Sequence, residues 1–345
     1  MKNLMKNLKK NSIILLIITL TVLVFVLKDD FPAIMKSLKN ANVFYILIAL
    51  LCFFVALLFE AKAYQEIIEE YQFDYNLKKS YKMLLITKFF NGITPFSSGG
   101  QPMQIYMLKK EGIRLTKATN IIVQNFIIYQ AALVTFGLFA VIYNYFYHIF
   151  ESSELLSHLV TVGFIINTLV MVGLLIVSFS NKFNHFLVNK GINILSRLHI
   201  VKNKEATLNK WNERVDDFYE GTEYLKSNPF LCFRTFLYNL IYLGLLYVMP
   251  YFVILGLNHG LVAGMTPIKA IISSAYVLIM GSFVPIPGAS GGIEYGYFRF
   301  FGNFIKGSLL KASLLIWRTI SYYVPMIIGG ILFNVNMKRD ESDCE

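Results

Sequence analysis

Residues 91–102 read N-G-I-T-P-F-S-S-G-G-Q-P, and residues 284–294 read V-P-I-P-G-A-S-G-G-I-E. Both stretches contain the pattern P-x-x-S-G-G, which begins at Pro95 and again at Pro287, and both interrupt a hydrophobic run. Proline removes a backbone donor and clashes with the preceding helical turn, and paired glycines favour non-helical backbone. Each run is therefore predicted to form two half-helices, with breaks at Pro95 and at Pro287-Gly288.

The composition places these breaks in a membrane protein. Hydrophobic residues make up 56% of the 345 residues and charged residues only 15%, against roughly 25% charged in soluble domains. The mean hydropathy is +0.55. These values exclude a soluble enzyme, a disordered chain and a collagen-like or coiled-coil protein, and favour one integral membrane domain over residues 1–345. The net charge of +11 is typical of cytoplasmic loops or contact with anionic lipid, so no nucleic-acid partner is expected.

Six unbroken hydrophobic runs are predicted to cross the membrane, which takes roughly 20 apolar residues each. They are Ile13–Leu27, Val43–Phe59, Thr119–Tyr143, Val160–Phe179, Phe230–Leu257 and Leu309–Phe333. The two broken runs, 81–108 and 267–304, are predicted to be re-entrant helical hairpins. The predicted fold is an all-α polytopic membrane protein with about six spanning helices and two oppositely directed re-entrant hairpins. Its halves, about 1–145 and 159–337, form an inverted repeat of the kind found in transporters.

Loop charge predicts the orientation. Lysine and arginine concentrate at the N-terminus, in 109–117 and in 181–229, whereas loops 148–158 and 258–266 contain neither. The N-terminus and the C-terminus are therefore predicted to be cytoplasmic. Segment 181–229 reads as a cytoplasmic amphipathic helical insertion on the membrane surface, with a lipid-headgroup site as the alternative. In this arrangement three cations would face outward: Arg299, Lys306 and Lys311. If the second broken run instead crossed the membrane, the C-terminus would lie outside.

The breaks are candidate anion sites. A half-helix begins after each Ser-Gly-Gly, so free N–H groups and the positive end of the helix dipole point into the break. The candidate lipid-headgroup site comprises Ser98, Gly99, Gly100, Gln101, Ser290, Gly291, Gly292, Glu294 and Arg318. The alternative is that the small residues only allow the hairpins to pack closely.

Charged and amide side chains extend this candidate site. Arg318 lies inside the last span, where an unpaired cation is costly, and Glu294 is its natural partner; a static pair without a binding role is the alternative. Glu294 is also the intramembrane carboxylate considered as a proton carrier, whereas Arg234 is expected to snorkel to the interface. A polar path, or alternatively a set of interhelical hydrogen bonds, is predicted from Asn91, Thr94, Gln104, Asn120, Gln124 and Asn125. The scattered histidines and cysteines indicate no metal site, and no cofactor or catalytic residue is predicted.

Two stretches carry a resemblance to a known family. Residues 89–102 and 283–294 resemble the two signatures of the lysylphosphatidylglycerol synthase transmembrane-region family. In the multiple peptide resistance factor, a related membrane region acts as a flippase for aminoacylated phosphatidylglycerol, and a separate cytoplasmic domain transfers lysine from charged tRNA. The resemblance implies the lipid-handling part, since twelve residues follow Phe333, and implies a bacterial plasma membrane location.

The leading hypothesis is therefore a lipid translocase that moves a phosphate-bearing, aminoacylated or glycosylated lipid headgroup between leaflets. No G-x-x-x-x-G-K-[ST] motif for ATP binding occurs in the chain. One alternative is a phosphatidylglycerol lysyltransferase, as the family name suggests. The other is a non-catalytic membrane partner of a lipid or glycolipid synthase. The expected partners are a membrane phospholipid or glycolipid and, in addition, a lipid synthase or a second copy of the chain.

Overall fold

The computed structural model describes residues 31–71, 74–150, 154–197, 203–281, 284 and 286–342. These residues form twelve helices and no strand. The helices are α1 Phe31–Lys39, α2 Val43–Glu69, α3 Leu77–Ile93, α4 Gly100–Lys110, α5 Leu115–Tyr147, α6 Glu154–Phe179, α7 Asn181–Arg197, α8 Lys204–Ser227, α9 Pro229–Asn258, α10 Pro267–Gly281, α11 Gly292–Phe301 and α12. Helix α12 comprises Gly307–Arg318 and Val324–Ser342, joined by a π-helical turn at Thr319–Tyr323. The predicted first span, Ile13–Leu27, lies outside the described residues.

Four helices are long and apolar enough to cross a membrane: α2, α5, α9 and Gly307–Asn336 of α12. They contain four of the predicted spans. The predicted span Val160–Phe179 falls within α6, which bends by 96° into α7 at a short break. The chain is thus a multi-pass membrane protein with four candidate spans in its described residues, or five if the bent pair counts as one.

Asparagine side chains fix where three of these helices begin. The amide oxygens of Asn42, Asn76 and Asn228 accept hydrogen bonds from the backbone N–H groups at the starts of α2, α3 and α9, at 3.0, 3.0 and 3.2 Å. Such caps satisfy donors that the first helical turn leaves free. The ends of α2 and α9 are further tied together, since Asn42 N–H donates to the Gly256 carbonyl at 2.8 Å.

The two broken runs fold back on themselves. Helix α3 packs against α4, and α10 packs against α11. At the base of the first hairpin Lys79 pairs with Glu111 at 2.6 Å, and at the base of the second the Lys269 ammonium lies 5.5 Å from the Phe304 ring centre. The two tips, at the breaks, contact each other.

Helix α12 runs past both hairpins. Near its start, Ser313 accepts a hydrogen bond from Tyr297 of α11 at 3.0 Å. Farther along, Tyr322 donates to the Gly92 carbonyl at the tip of α3 at 2.9 Å. Gly329 then lies so close to the Leu85 carbonyl that a Cβ atom would overlap it. Successive parts of α12 therefore contact the second hairpin, the meeting tips, and the body of the first hairpin.

Segment 181–229 contains α7 and α8, which pack against each other. His185 of α7 lies between Asn212 and Asp216 of α8, with its Nδ1 atom 2.9 Å from Asn212 Oδ1 and its Nε2 atom 3.0 Å from Asp216 Oδ1. The helical character agrees with the sequence, and its cytoplasmic position stays a prediction.

Candidate functional site

The two breaks share the backbone conformation of their first three residues and diverge after them, where Gly99 has a φ of -80° and Gly291 a φ of +89°. Each begins with a proline, Pro95 or Pro287, that starts a 3-10 turn. The next two residues adopt positive φ in both: 53° and 53° at Phe96 and Ser97, and 65° and 51° at Gly288 and Ala289. Left-handed backbone is uncommon at residues other than glycine. Its presence at both matching pairs indicates that the repeated sequence specifies a repeated turn.

The repeated serines close their own turns. The Ser98 hydroxyl donates to the Pro95 carbonyl at 2.9 Å, and the Ser290 hydroxyl donates to the Pro287 carbonyl at 3.2 Å. Ser98 is exposed and Ser290 is buried. Both hydroxyl hydrogens are thus used within the turn, so any ligand would meet the oxygen lone pairs rather than a free donor.

Close packing accounts for the glycines of the first break. The Gly99 N–H donates to Thr94 Oγ1 at 2.9 Å, and a Cβ atom at Gly99 would crowd the Thr94 side chain. A Cβ atom at Gly100 would overlap the side chain of Asn91 on α3. These two glycines therefore let α4 start directly against α3.

The glycines of the second break differ. Gly292 packs against Val284, but no atom lies within 4 Å of a Cβ built at Gly291, whose φ of +89° itself requires glycine. The Gly291 N–H donates to Glu294 Oε2 at 2.6 Å. Glu294 thus occupies one of the free donors at the start of α11, where a carboxylate is favoured by the helix dipole.

Arg318 is bound at the second break. Its Nε atom lies 2.9 Å from Glu294 Oε1, an ionic contact without an aligned hydrogen bond, and its Nη2 atom donates to the Gly288 carbonyl at 2.9 Å. The guanidinium also lies 4.7 Å from the Tyr322 ring centre. The predicted pairing of Arg318 with Glu294 is confirmed, and both side chains are at most 10% exposed.

Two cavities adjoin the meeting point of the breaks. The first, called the Arg318 cavity, has a volume of about 280 Å³ and is lined from both breaks by Ser97, Gly288 and Arg318. The second, called the Glu60 cavity, has a volume of about 330 Å³ and is lined by Glu60 and Gln101 among others. Four residues line both cavities: Lys88, Asn91, Ser97 and Tyr242.

A partly buried ion pair between Lys88 and Glu60 lies at the two cavities: Lys88 lines both of them, and Glu60 lines the Glu60 cavity. The Lys88 ammonium donates to both carboxylate oxygens of Glu60, at 2.8 and 3.1 Å, and to the Tyr242 hydroxyl at 3.1 Å. Sequence reasoning missed this pair and considered Glu294 alone as an intramembrane carboxylate. The available signal was an ionisable residue at the edge of a predicted span and another inside a broken run, since such residues are costly in membranes.

The predicted polar path is only partly collected at these cavities. Asn91 lines both, and Gln104 and Asn125 line the Glu60 cavity. Thr94 is part of the first turn. Asn120 and Gln124 are buried and hydrogen-bonded to each other, with the Tyr71 hydroxyl 3.5 Å from Asn120 Oδ1. They are not among the lining residues of either cavity.

Arg234 is also paired. It contacts Glu66 of α2, whose other oxygen lies 3.2 Å from the Lys62 ammonium. The Arg234 side chain is still 41% exposed, which fits its expected position near an interface. Within the described residues no group of three histidine, cysteine, aspartate or glutamate side chains is placed to hold a metal ion.

The fold and site define a polytopic helical membrane protein with two broken hairpins that meet tip to tip beside buried charges. The chain belongs to the Lysylphosphatidylglycerol synthase TM region family, which it matches over residues 12–329. It is 23% identical to a UPF0104 membrane protein of Methanocaldococcus jannaschii, with 96% of each chain covered. It is 21% identical to a UPF0104 membrane protein of Archaeoglobus fulgidus, covering 76% of this chain and 77% of the relative. An uncharacterized protein of Mycoplasma genitalium is also 21% identical, over 94% of this chain and 86% of that protein.

Proposed function

We propose that this protein is a lipid translocase that carries a phosphate-bearing lipid headgroup, plain, aminoacylated or glycosylated, between membrane leaflets. The observation that carries the proposal is the meeting of two non-helical breaks beside two cavities that are lined in part by Arg318 and Lys88. Irregular backbone at membrane depth is tolerated where it is buried in protein or lines a cavity. Intramembrane cations are rare and mark substrate pathways.

The proposal includes an inverted-repeat topology with two re-entrant hairpins. The four hairpin helices α3, α4, α10 and α11 have 17, 11, 15 and 10 residues. Their lengths are about 26, 17, 23 and 15 Å, each below the hydrocarbon thickness of about 30 Å. The tip-to-tip contact, and the order in which α12 meets the hairpins, support entry from opposite sides. The breaks would then lie near the bilayer midplane.

The paired charges suggest how a headgroup would bind. Lys88 is neutralised by Glu60 and Arg318 by Glu294. A lipid phosphate would therefore bind most favourably by replacing one of these carboxylates as the partner of its cation. Phosphate and carboxylate accept the same charge-assisted hydrogen bonds. The headgroup would pass along the two adjoining cavities while the acyl chains stay in lipid. The movement would be downhill or coupled to a gradient, and a displaced Glu60 or Glu294 is the place where a proton would bind.

The location proposed with this function is the plasma membrane of a bacterium, with both chain ends in the cytoplasm. Loop charge supports this orientation. The partner is the membrane lipid itself, with a lipid synthase or a second copy of the chain as a further partner.

The test is leaflet movement of fluorescent anionic, lysylated, glycosylated and zwitterionic lipids in liposomes that contain the purified protein. Wild type is compared with Arg318→Gln and with the control Arg299→Gln, because Arg299 is exposed and its Nε donates to Tyr295 at 3.1 Å. We expect headgroup-dependent movement that Arg318→Gln abolishes and the control retains. Folded protein that moves none of these lipids would contradict a translocase and favour a synthase partner. Formation of lysylated lipid by the isolated chain would favour the enzyme alternative.

A further inference from the structure

A third cavity lies at the base of the first hairpin, away from the breaks. It has a volume of about 390 Å³ and is enclosed by the start of α3, the end of α4 and the end of α12. We call it the Lys82 cavity. Neither Arg318 nor Lys88 lines it, so it is separate from the site proposed above.

The rim of the Lys82 cavity is basic. Lys79, Lys82 and Lys110 line it together with one carboxylate, Glu111. Lys79 is paired with Glu111 at 2.6 Å. Lys82 is half-buried, and no acidic side chain of the described residues lies within ion-pair distance of it. A half-buried cation that faces a cavity without an acidic partner indicates that an anion binds there.

The other walls of the Lys82 cavity are apolar and aromatic. Ile86, Met103, Met107 and Phe333 line it beneath the lysines. Tyr106 also lines it, with the Lys110 ammonium 5.6 Å from its ring centre. A cavity with cations on one side and methionine and phenylalanine on the other matches an amphiphile that has an anionic head and an apolar body. Free inorganic phosphate would leave the apolar walls unused.

We infer that the Lys82 cavity binds the phosphate group of an anionic membrane phospholipid, with Lys82 and Lys110 as its direct cationic partners. Lysine is a common phosphate ligand that acts as a point charge. Segment 109–117 is predicted to be cytoplasmic, so the lipid would come from that leaflet. This inference goes beyond the proposed function, since equilibrium binding at this site requires no movement of lipid between leaflets.

The test is photo-crosslinking of the full chain in phosphatidylcholine nanodiscs. The probe is a phosphatidylglycerol analogue with a photoactivatable group near its headgroup, and adducts on residues 103–110 are quantified by mass spectrometry. The variant is Lys82→Gln/Lys110→Gln. The matched control is Lys78→Gln/Lys109→Gln, which removes two exposed lysines of the same helices that do not line the cavity.

We expect saturable labelling that weakens about tenfold or more in the Lys82/Lys110 variant, because each near-surface lysine contributes a severalfold factor to anionic-lipid binding. The control and Lys82→Arg/Lys110→Arg are expected to label like wild type, which separates lost charge from misfolding. Unlabelled phosphatidylglycerol should compete, whereas millimolar inorganic phosphate should not.

Three results would overturn the inference: equal labelling by a phosphatidylcholine probe, unchanged labelling of the Lys82/Lys110 variant, or complete displacement by inorganic phosphate. The last result would identify a soluble phosphate ligand instead. The two proposals fail separately. Intact labelling of a wild-type protein that moves no lipid would leave this site standing while the translocase proposal fails, and labelling of Arg318→Gln should equal that of wild type because Arg318 does not line the Lys82 cavity.

Discussion

The Lys88 ammonium lies 2.8 Å from the nearer carboxylate oxygen of Glu60, although the two residues belong to different helices, α3 and α2. The two side chains are 20% and 13% exposed. Lys88 lines both cavities and Glu60 lines one of them, and the pair ties the first broken hairpin to a spanning helix. Its removal should therefore affect both the stability of the fold and the path that we propose for the headgroup.

Glu60→Gln should destabilise the protein by about 2–3 kcal/mol, because it leaves the Lys88 charge mostly buried without its partner. This is below the roughly 3–5 kcal/mol of a fully buried pair, since both groups keep some contact with solvent. The double variant Glu60→Gln/Lys88→Gln should recover most of the loss, because no uncompensated charge remains. Thermal unfolding of the purified variants in detergent measures both effects. A double variant as unstable as the sum of the single variants would contradict an energetic coupling between the two side chains.

Much of this fold follows from local chemistry. The repeated P-x-x-S-G-G predicts both breaks, because proline and paired glycines are incompatible with straight helix wherever the chain places them. The Arg318–Glu294 pair was likewise predictable, since one intramembrane cation and one nearby acid have a strong reason to meet. Both breaks have left-handed backbone at matching positions, Ser97 and Ala289. This conformation is imposed by the turn, and the residue types at these two positions do not predict it.

The Lys88–Glu60 pair was not predicted from the sequence, because this pair depends on tertiary packing. Lys88 and Glu60 are 28 residues apart and lie in separate hydrophobic runs, so hydropathy averages hide both. The spacing of Asn120 and Gln124 correctly places them on one helix face. Spacing does not indicate what that face meets, and the structure places it near Tyr71 rather than on either cavity.

Gly291→Ala should destabilise the protein by about 1–3 kcal/mol through backbone strain alone. The φ of +89° at Gly291 disfavours any side chain, yet no neighbour lies within 4 Å of the added Cβ atom. The control is Gly191→Ala in α7, which also meets no neighbour and lies in regular helix, so it should be neutral or stabilising by up to about 1 kcal/mol. Thermal unfolding in detergent compares them. Equal effects of the two substitutions would contradict the turn geometry of the second break.

The proposed entry of the two hairpins from opposite sides of the membrane predicts opposite accessibility of their bases. In a variant without native cysteines, Lys306→Cys should react with a membrane-impermeant maleimide added to intact cells, whereas Lys109→Cys should react only after the membrane is permeabilised. Both positions are exposed, and they follow the second and the first hairpin respectively. A chain that instead crosses the membrane at residues 267–304 would place Lys306 in the cytoplasm, and both cysteines would then be protected in intact cells.

The contact between α7 and α8 should weaken as the pH rises above neutrality. The hydrogen bond to Asn212 is the main cause that raises the pKa of His185 above its usual 6.5, and a hydrogen bond from His185 is the main cause that lowers the pKa of Asp216 below 3.8. The stabilisation of the α7–α8 contact by His185 is therefore complete below about pH 6.5 and is lost as the pH rises through the raised pKa of His185. The stabilisation by Asp216 is lost only in strong acid, as the pH falls through the lowered pKa of Asp216. Hydrogen exchange of α7 and α8, corrected for intrinsic rates, should show less protection at pH 8 than at pH 6.

His185→Gln should remove that difference, and about 0.5 M salt should reduce it because the pair is exposed to solvent. An unchanged pH dependence in His185→Gln would mean that another group controls this contact.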